Sequence, residues 1–251
     1  ALAAKGRIFN LPRRSIADLT CSRITPNISA RPIKRAPRLR TPQARRHIGG
    51  MPLTPDQLER YARHIVLKEI GGPGQQRLRA ATVALVGAGG LGAPAALYLA
   101  AAGVGTLRLI DHDAVSLSNL QRQVLFRTSD VGRAKIDAAA DALADLNPDI
   151  AVDLALERLA PSSAERLIAG ADVVLDGTDD FTTRFAVNDA CHAAGVPLVS
   201  GAVGRWTGQL STFKSGLTKG RSVADRLPCY RCLVPEVPPD AESCERAGIV
   251  G

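Results

Sequence analysis

Two short, almost wholly apolar runs, Val83 to Val86 and Leu107 to Ile110, flank an Ala/Leu-rich segment. The first feeds directly into a glycine cluster, Gly87, Gly89, Gly90 and Gly92, and the second ends on a carboxylate, Asp111. The pattern predicts a strand, a tight turn, a helix and a second strand. Glycine suits the turn because a Cβ there would hold phosphates away from backbone N–H groups at the helix N-terminus, where the helix dipole favours anions. Asp111 lies nineteen residues after Gly92, a spacing at which a carboxylate at the end of the second strand can accept hydrogen bonds from ribose hydroxyls.

The same patterning extends in both directions. Thr54-Pro55 is a helix-start signal, and Leu58, Tyr61, Ile65 and Leu67 to Ile70 form a helical apolar stripe that stops at Gly71-Gly72-Pro73. A short second helix is expected over Gln75 to Arg79. After Asp111 a polar, turn-rich stretch leads to Ser129-Asp130, read as the cap of a helix from about Gly132 to Leu146, which Asn147-Pro148 ends. A strand (Ile150 to Leu156), a helix (Pro161 to Ile168) and an apolar strand (Asp172 to Leu175) make a second β–α–β unit. A helix over Thr182 to Ala194, a strand at Val196 to Val199 and a further strand within Trp206 to Phe213 come next, and Ser215 to Pro228 reads as loop. Strands apolar on both faces indicate a mostly parallel sheet with flanking helices, a Rossmann-like α/β fold with a Cys-containing C-terminal loop region after it.

Composition adjusts this picture at the ends. The net charge of +8 is uneven: residues 1–50 carry twelve Lys/Arg and one acid, a net +11, and the remainder carries twenty against twenty-three, a net −3. The basic pI therefore gives no reason to expect a nucleic-acid partner for the folded part. The first fifty residues are proline-rich, lack periodic apolar spacing and precede the only methionine, Met51. They are read as a disordered basic leader upstream of a natural start at Met51; an organelle transit peptide and a basic nucleic-acid arm are the alternatives. No apolar run approaches the ~20 residues that span a bilayer, so no membrane association is expected. Five cysteines with one CxxC suit a reducing cytoplasm and metal binding better than a disulfide framework.

The glycine turn alone is compatible with an NAD or FAD site or with a close-packing turn. The residues beyond Asp111 bear on the choice: Asn119 and Arg122, then Lys135 at the start of a helix. Two cations directed at a phosphate site suit charge development on phosphorus better than hydride transfer, although either alone reads as solvated surface charge. Asp179, at the carboxyl end of the fourth strand, can hold Mg²⁺ or cap the next helix, a role open equally to Asp180.

The chain resembles the MoeB/ThiF/HesA family of adenylyltransferases, bacterial relatives of ubiquitin-activating enzymes. The resemblance runs from about Leu53 to Gly251 through RYARHIVL, VGAGGLG, DHDAVSLSNLQRQ, VGRAKID, VLDGTDD, PLVSGAVGRWTGQ, PCYRC and CERAGIVG. Within the family the molybdopterin-synthase branch is most similar and the thiamine-pathway branch a near neighbour. The resemblance implies that Gly87, Gly89, Gly90 and Gly92 wrap the adenosine of ATP and that Asp111 binds its ribose. It gives Asn119, Arg122 and Lys135 the triphosphate and transition state, and Asp179 the Mg²⁺. Arg63 would reach into the partner subunit's site, which implies a homodimer with composite sites. The implied substrate is a small ubiquitin-like sulfur-carrier protein whose C-terminal Gly-Gly carboxylate attacks ATP, with a sulfur-transfer protein acting alongside.

Cys229 and Cys232 match zinc ligands of the family. One CxxC on its own is half a zinc site, a redox pair or neither. Relatives supply two further ligands from a second CxxC that this sequence lacks, so the 51–251 domain is expected to be incomplete at its C-terminus and Zn²⁺ to lack part of its ligand set. Cys244 matches a position where some relatives form thioester or persulfide links, and Cys191 reads as core. An NAD-dependent oxidoreductase and a non-catalytic carrier-binding scaffold are the competing readings.

Overall fold

The structure is a computed structural model and describes residues 52–204 and 206–237. The leader over 1–50, the start at Met51 and Cys244 lie outside the described residues. The chain opens with short helices α1 (Pro55–Arg60) and α2 (Ala62–Ile65), then α3 (Gly71–Ala80). Next come β1 (Thr82–Val86), α4 (Gly92–Ala101), β2 (Thr106–Ile110), α5 (Lys135–Leu146), β3 (Ala151–Ala155), α6 (Ala164–Ile168) and β4 (Val173–Asp176). The series ends with α7 (Phe181–Ala194), β5 (Leu198–Val203), β6 (Gly208–Phe213) and α8 (Tyr230–Leu233).

One six-stranded sheet has the order β3-β2-β1-β4-β5-β6. All pairings are parallel except β5 with β6, where Leu198 faces Phe213 and Val203 faces Gly208. This is the Rossmann strand order, with the expected mostly parallel sheet and an antiparallel edge. The order reverses between β1 and β4, so a crevice opens beyond their carboxyl ends.

Alternation along β1 divides the core. Val83 and Leu85 pack with Ala93, Ala96, Ala100, Ile136 and Leu143 on the face covered by α4 and α5. Ala84 and Val86 pack with Leu167, Ile168, Phe185, Val187 and Tyr230 on the face covered by α6, α7 and α8. Small residues at 92, 93, 96 and 100 share one side of α4 and let it approach the sheet closely. Among the described residues, no helix is long and apolar enough to cross a membrane.

Local expectations failed where tertiary contacts compete. The leading segment is capped as expected: Thr54 Oγ1 accepts from Gln57 N, and the Gln57 side chain accepts from Thr54 N. The apolar stripe forms only in part: its member Tyr61 is buried, Leu58 and Leu67 are about half exposed, and the polar Gln57 is buried. Tyr61 anchors the segment, over Gly103, with its hydroxyl accepting from Asn147 Nδ2 at 2.8 Å. Gly71-Gly72-Pro73 starts α3 rather than separating two helices, because a proline in the first helical turn removes an N–H that lacks a partner anyway. Helix α5 begins at Lys135, three residues later than expected. Asp130 closes a short 3-10 turn (Thr128–Asp130) by accepting from Arg127 N.

Candidate active site

The crevice at the β1/β4 reversal is a cavity of about 520 Å³, within the usual range for small-molecule sites. Of the residues singled out from the sequence, Gly87, Gly89, Gly90, Asp111, Asn119, Arg122, Lys135 and Asp179 all line it. Gly92, Arg63, Cys229 and Cys232 do not line it.

The glycines divide by task. Gly87 has φ +88°, and a Cβ on Gly92 would lie 1.8 Å from the Gly87 carbonyl oxygen. Both therefore serve the fold of the turn itself. Gly89 and Gly90 border the cavity, and Cβ atoms there would meet protein only at 3.8 Å and 3.5 Å. At these two positions the missing side chain leaves room for a ligand rather than for the chain.

Asp111 is buried at the end of β2. Its Oδ2 accepts from Ala88 N at 2.7 Å and its Oδ1 from Asp113 N at 2.8 Å. The carboxylate thus ties the glycine turn to the loop after β2 and still faces the cavity. On that loop a short 3-10 turn (Leu117–Asn119) carries Asn119, whose Nδ2 donates to Ser116 Oγ and whose Oδ1 accepts from Arg122 Nη2 at 3.0 Å. Arg122 Nη1 also donates to Ser118 O at 3.3 Å. Asn119 and Arg122 form one hydrogen-bonded unit at the cavity wall.

Lys135 is 5% exposed, and its Nζ donates to Asp113 Oδ2 at 2.7 Å. Burial acts to raise the Asp113 pKa, but the Lys135 hydrogen bond and charge, with His112 and Arg158, outweigh it and hold the carboxyl below its ordinary value. Asp111, His112 and Asp113 also offer ligand atoms within 4.8 Å of one another, a grouping produced by their adjacency in sequence.

Across the cavity, the Gly177 to Asp180 loop separates the two carboxylates that the sequence left interchangeable. Asp180 caps α7, accepting from Thr183 N at 2.8 Å and Thr183 Oγ1 at 2.6 Å. Burial would raise its pKa; the Thr183 hydrogen bonds and Arg158 prevail and lower it. Asp179 is exposed to the cavity and makes no hydrogen bond or ion pair among the described residues. A carboxylate without a partner among the described residues, lining this cavity, fits Mg²⁺, which takes one or two carboxylates and fills its remaining positions with water and phosphate oxygens.

The sequence reading missed two contributors, Asp113 and the buried pair Asp176 and Arg184. The signal for Asp113 was weak, a second acid two residues after Asp111. For Arg184, a cation amid the apolar positions of a buried helix was visible but had no identifiable partner.

Cys229 and Cys232 lie on the segment that α8 docks against α7. Arg231 donates to both carboxylate oxygens of Asp189, at 2.8 and 2.7 Å, and sits over the Phe185 ring. The two sulfurs are 3.7 Å apart, close to the ~3.8 Å edge of a tetrahedron with ~2.3 Å zinc–sulfur bonds. They fit two corners of a zinc site; no further ligand stands with them among the described residues. Cys191 is core, its thiol pushed up to about 12 by burial and by the Asp176 charge. Arg63 is exposed on α2, outside its own chain's cavity.

Comparison with known proteins identifies the family. The ThiF family model matches residues 61–251. Over 201 residues the chain is 47% identical to MoeZ of Mycobacterium tuberculosis, named as a probable adenylyltransferase/sulfurtransferase; the match covers 79% of this chain and 50% of that protein. It is 46% identical to the SAMP-activating enzyme E1 of Haloferax volcanii, over 78% of this chain and 69% of that one. Identity is 43% to the sulfur carrier protein adenylyltransferase of Thermus thermophilus, over 79% and 72%. Among solved structures, the Escherichia coli tRNA N6-threonylcarbamoyladenosine dehydratase TcdA in complex with ATP is similar, with a TM-score of 0.58, 28% identity and coverage of 61% of this chain and 63% of that one. The chain thus spans half the length of the M. tuberculosis relative.

Proposed function

The chain belongs to the ThiF family, and on that premise we propose that it adenylylates the C-terminal Gly-Gly carboxylate of a small ubiquitin-like sulfur-carrier protein. The observation that carries the reading is that the Asn119–Arg122 unit, Lys135 and the Asp179 carboxylate, unpaired among the described residues, line one cavity. A dinucleotide dehydrogenase requires the glycine turn and Asp111 but has no use for this set.

In the proposed reaction a carboxylate oxygen of the tail bonds to the α-phosphorus of ATP, the bond from that phosphorus to the bridging oxygen breaks, and pyrophosphate leaves. Backbone N–H groups around Gly89 and Gly90 hold phosphate oxygens, and Asp111 accepts from the ribose. Arg122 and Lys135 offset negative charge as it shifts toward the leaving pyrophosphate. Such a reaction between anions gains most from positioning and fixed cations and needs no covalent help from the protein. Asp179 would hold Mg²⁺, which when bound neutralises phosphate oxygens.

Arg63 is assigned to the partner subunit's cavity in a homodimer, supported by its exposure on α2 away from its own site. Cys229 and Cys232 are assigned to a structural zinc, supported by their sulfur spacing. The setting is the cytoplasm, with molybdenum-cofactor or thiamine sulfur delivery as the pathway class and a sulfur-transfer protein downstream. Neither a nucleic acid nor a membrane enters this role.

ATP–pyrophosphate exchange with a carrier ending in Gly-Gly, compared with the same carrier lacking those glycines, tests the reading. Exchange is expected only with the glycines. Exchange indifferent to them would overturn it; nicotinamide-dinucleotide binding would favour an oxidoreductase, and loss of ATP-dependent turnover on Arg122→Ala without a change in that binding would argue against one. Tail binding without pyrophosphate release would favour a scaffold.

A further inference from the structure

Asp179 makes no hydrogen bond among the described residues, yet the residues around it are fixed from several sides. Asp176, at the end of β4, is 3% exposed. Its Oδ1 accepts from Thr178 N at 3.0 Å and from Thr178 Oγ1 at 2.7 Å. Its Oδ2 accepts from Ser200 Oγ of β5 at 3.0 Å and lies 3.7 Å from Arg184 Nη1. Arg184, on α7 and 5% exposed, donates from Nη1 to Ser200 Oγ at 3.3 Å and from Nη2 to the Thr178 carbonyl oxygen. Gly177 N donates to Val86 O at 3.0 Å.

The N–H, hydroxyl and carbonyl of Thr178 are all engaged by a buried ion pair drawn from two elements, and a third element bridges that pair. Breaking one side of such a pair leaves a buried charge without its partner, so the arrangement holds as a unit or fails as one. Directly after this clamped residue comes Asp179, whose carboxylate alone in the loop is left available to the cavity.

Resting on the proposed nucleotide site, we infer that Asp176 and Arg184 are positioning residues that preset the Asp179 carboxylate in the cavity that Arg122 and Lys135 also line, so that metal-bound ATP meets it without first ordering the loop. Asp176 does not line the cavity, whereas Arg184 borders it. The effect inferred for both passes through the Thr178 backbone, and Thr178→Val, which leaves the Arg184 charge in place, separates it from direct contact of Arg184 with the nucleotide. A purely structural role for the pair would lower stability and leave what Asp179 contributes unchanged.

A double-mutant cycle separates the two, read as ATP affinity by titration calorimetry in Mg²⁺ and again in EDTA. In the otherwise unaltered protein, Asp179→Asn is expected to weaken binding about tenfold in Mg²⁺ and little in EDTA. In an Arg184→Met background, Asp179→Asn should add less than about threefold, and the Mg²⁺ concentration for half-maximal binding should rise about tenfold. Arg184→Met that lowers the melting temperature yet preserves the full Asp179→Asn effect would overturn the inference. If Arg184→Met does not fold, Thr178→Val, which removes the hydroxyl donated to Asp176 at nearly constant shape, replaces it. The same loss of coupling in weaker form is expected, and an unaltered coupling overturns the inference equally. Failure of the unaltered protein to bind ATP would instead reject the nucleotide site itself, a separate outcome.

Discussion

Lys135 Nζ rests 2.7 Å from Asp113 Oδ2, a nearly buried ammonium held by a half-exposed carboxylate at the edge of the candidate cavity. The pair keeps the cation in place in the absence of phosphate. Because Asp113 is held below its ordinary value of 3.8, its contribution to stability is present above that value and is lost as pH falls through the lowered folded-state pKa. Thermal unfolding of Asp113→Asn should show a lower melting temperature than the parent at neutral pH, with the gap closing in acid below about pH 3.8. A constant gap at all pH values would mean the carboxylate charge is not what stabilises.

Asp179 and Asp180 are neighbours with separable fates. Asp180→Ala removes the α7 cap and should cost about 1 kcal/mol, read as a drop of about 2–4 °C in melting temperature. Asp179→Asn breaks no hydrogen bond within the described residues and should leave the melting temperature nearly unchanged while pyrophosphate exchange falls about a hundredfold or more.

The glycine turn predicts an unequal response within one motif. Gly92→Ala places a methyl group 1.8 Å from Gly87 O and should destabilise by about 3 kcal/mol. Gly89→Ala meets protein only at 3.8 Å; its unfolding should be near that of the parent, with weakened ATP binding by calorimetry as the principal change.

Composite sites can be tested by mixing two inactive forms. Arg63→Ala and Arg122→Ala chains, dissociated and reassembled together, should recover about a quarter of parental exchange, since half the dimers would be mixed and each would hold one intact site. No recovery in reassembled dimers would place Arg63 outside the site.

Zinc content gives a further measurement. On the proposed zinc assignment the parent should carry zinc and Cys229→Ser and Cys232→Ser should each lose it, read with a chromophoric chelator; a parent without zinc would overturn the assignment. Asp189→Asn, which disrupts the doubly bonded Arg231 contact holding α8 on α7, should hasten release without removing a thiolate.

Much of this architecture can be read along the chain. Apolar runs on both sides of a glycine cluster imply buried parallel strands joined by a helix, because burial on both faces leaves no alternation and a parallel pair needs a crossover. The residue types at 87 to 92, 111, 119, 122, 135 and 179 imply a phosphate-handling site, because each chemical type limits what it can bind. Those inferences rest on local spacing, which the sequence contains in full. Of the apolar stripe, Tyr61 is buried and Leu58 is not, because Asn147, distant in sequence, bonds the Tyr61 hydroxyl and decides which side of the segment is buried.

Partner choice is what only the folded molecule decides. Gly92 faces its own chain while Gly89 faces the cavity; Asp180 caps a helix while Asp179 stays free; Asp113 holds Lys135; Asp176 and Arg184 meet across two elements to fix Thr178. Each depends on how side chains and backbone groups are aimed at one another, some within one turn and some across elements, set by strand register and by the path of the loops beyond β1, β2 and β4. Hydrogen bonds and ion pairs are short-ranged and directional, so residue type and spacing can nominate such groups, and only tertiary geometry selects which of them are bound and which remain available for chemistry.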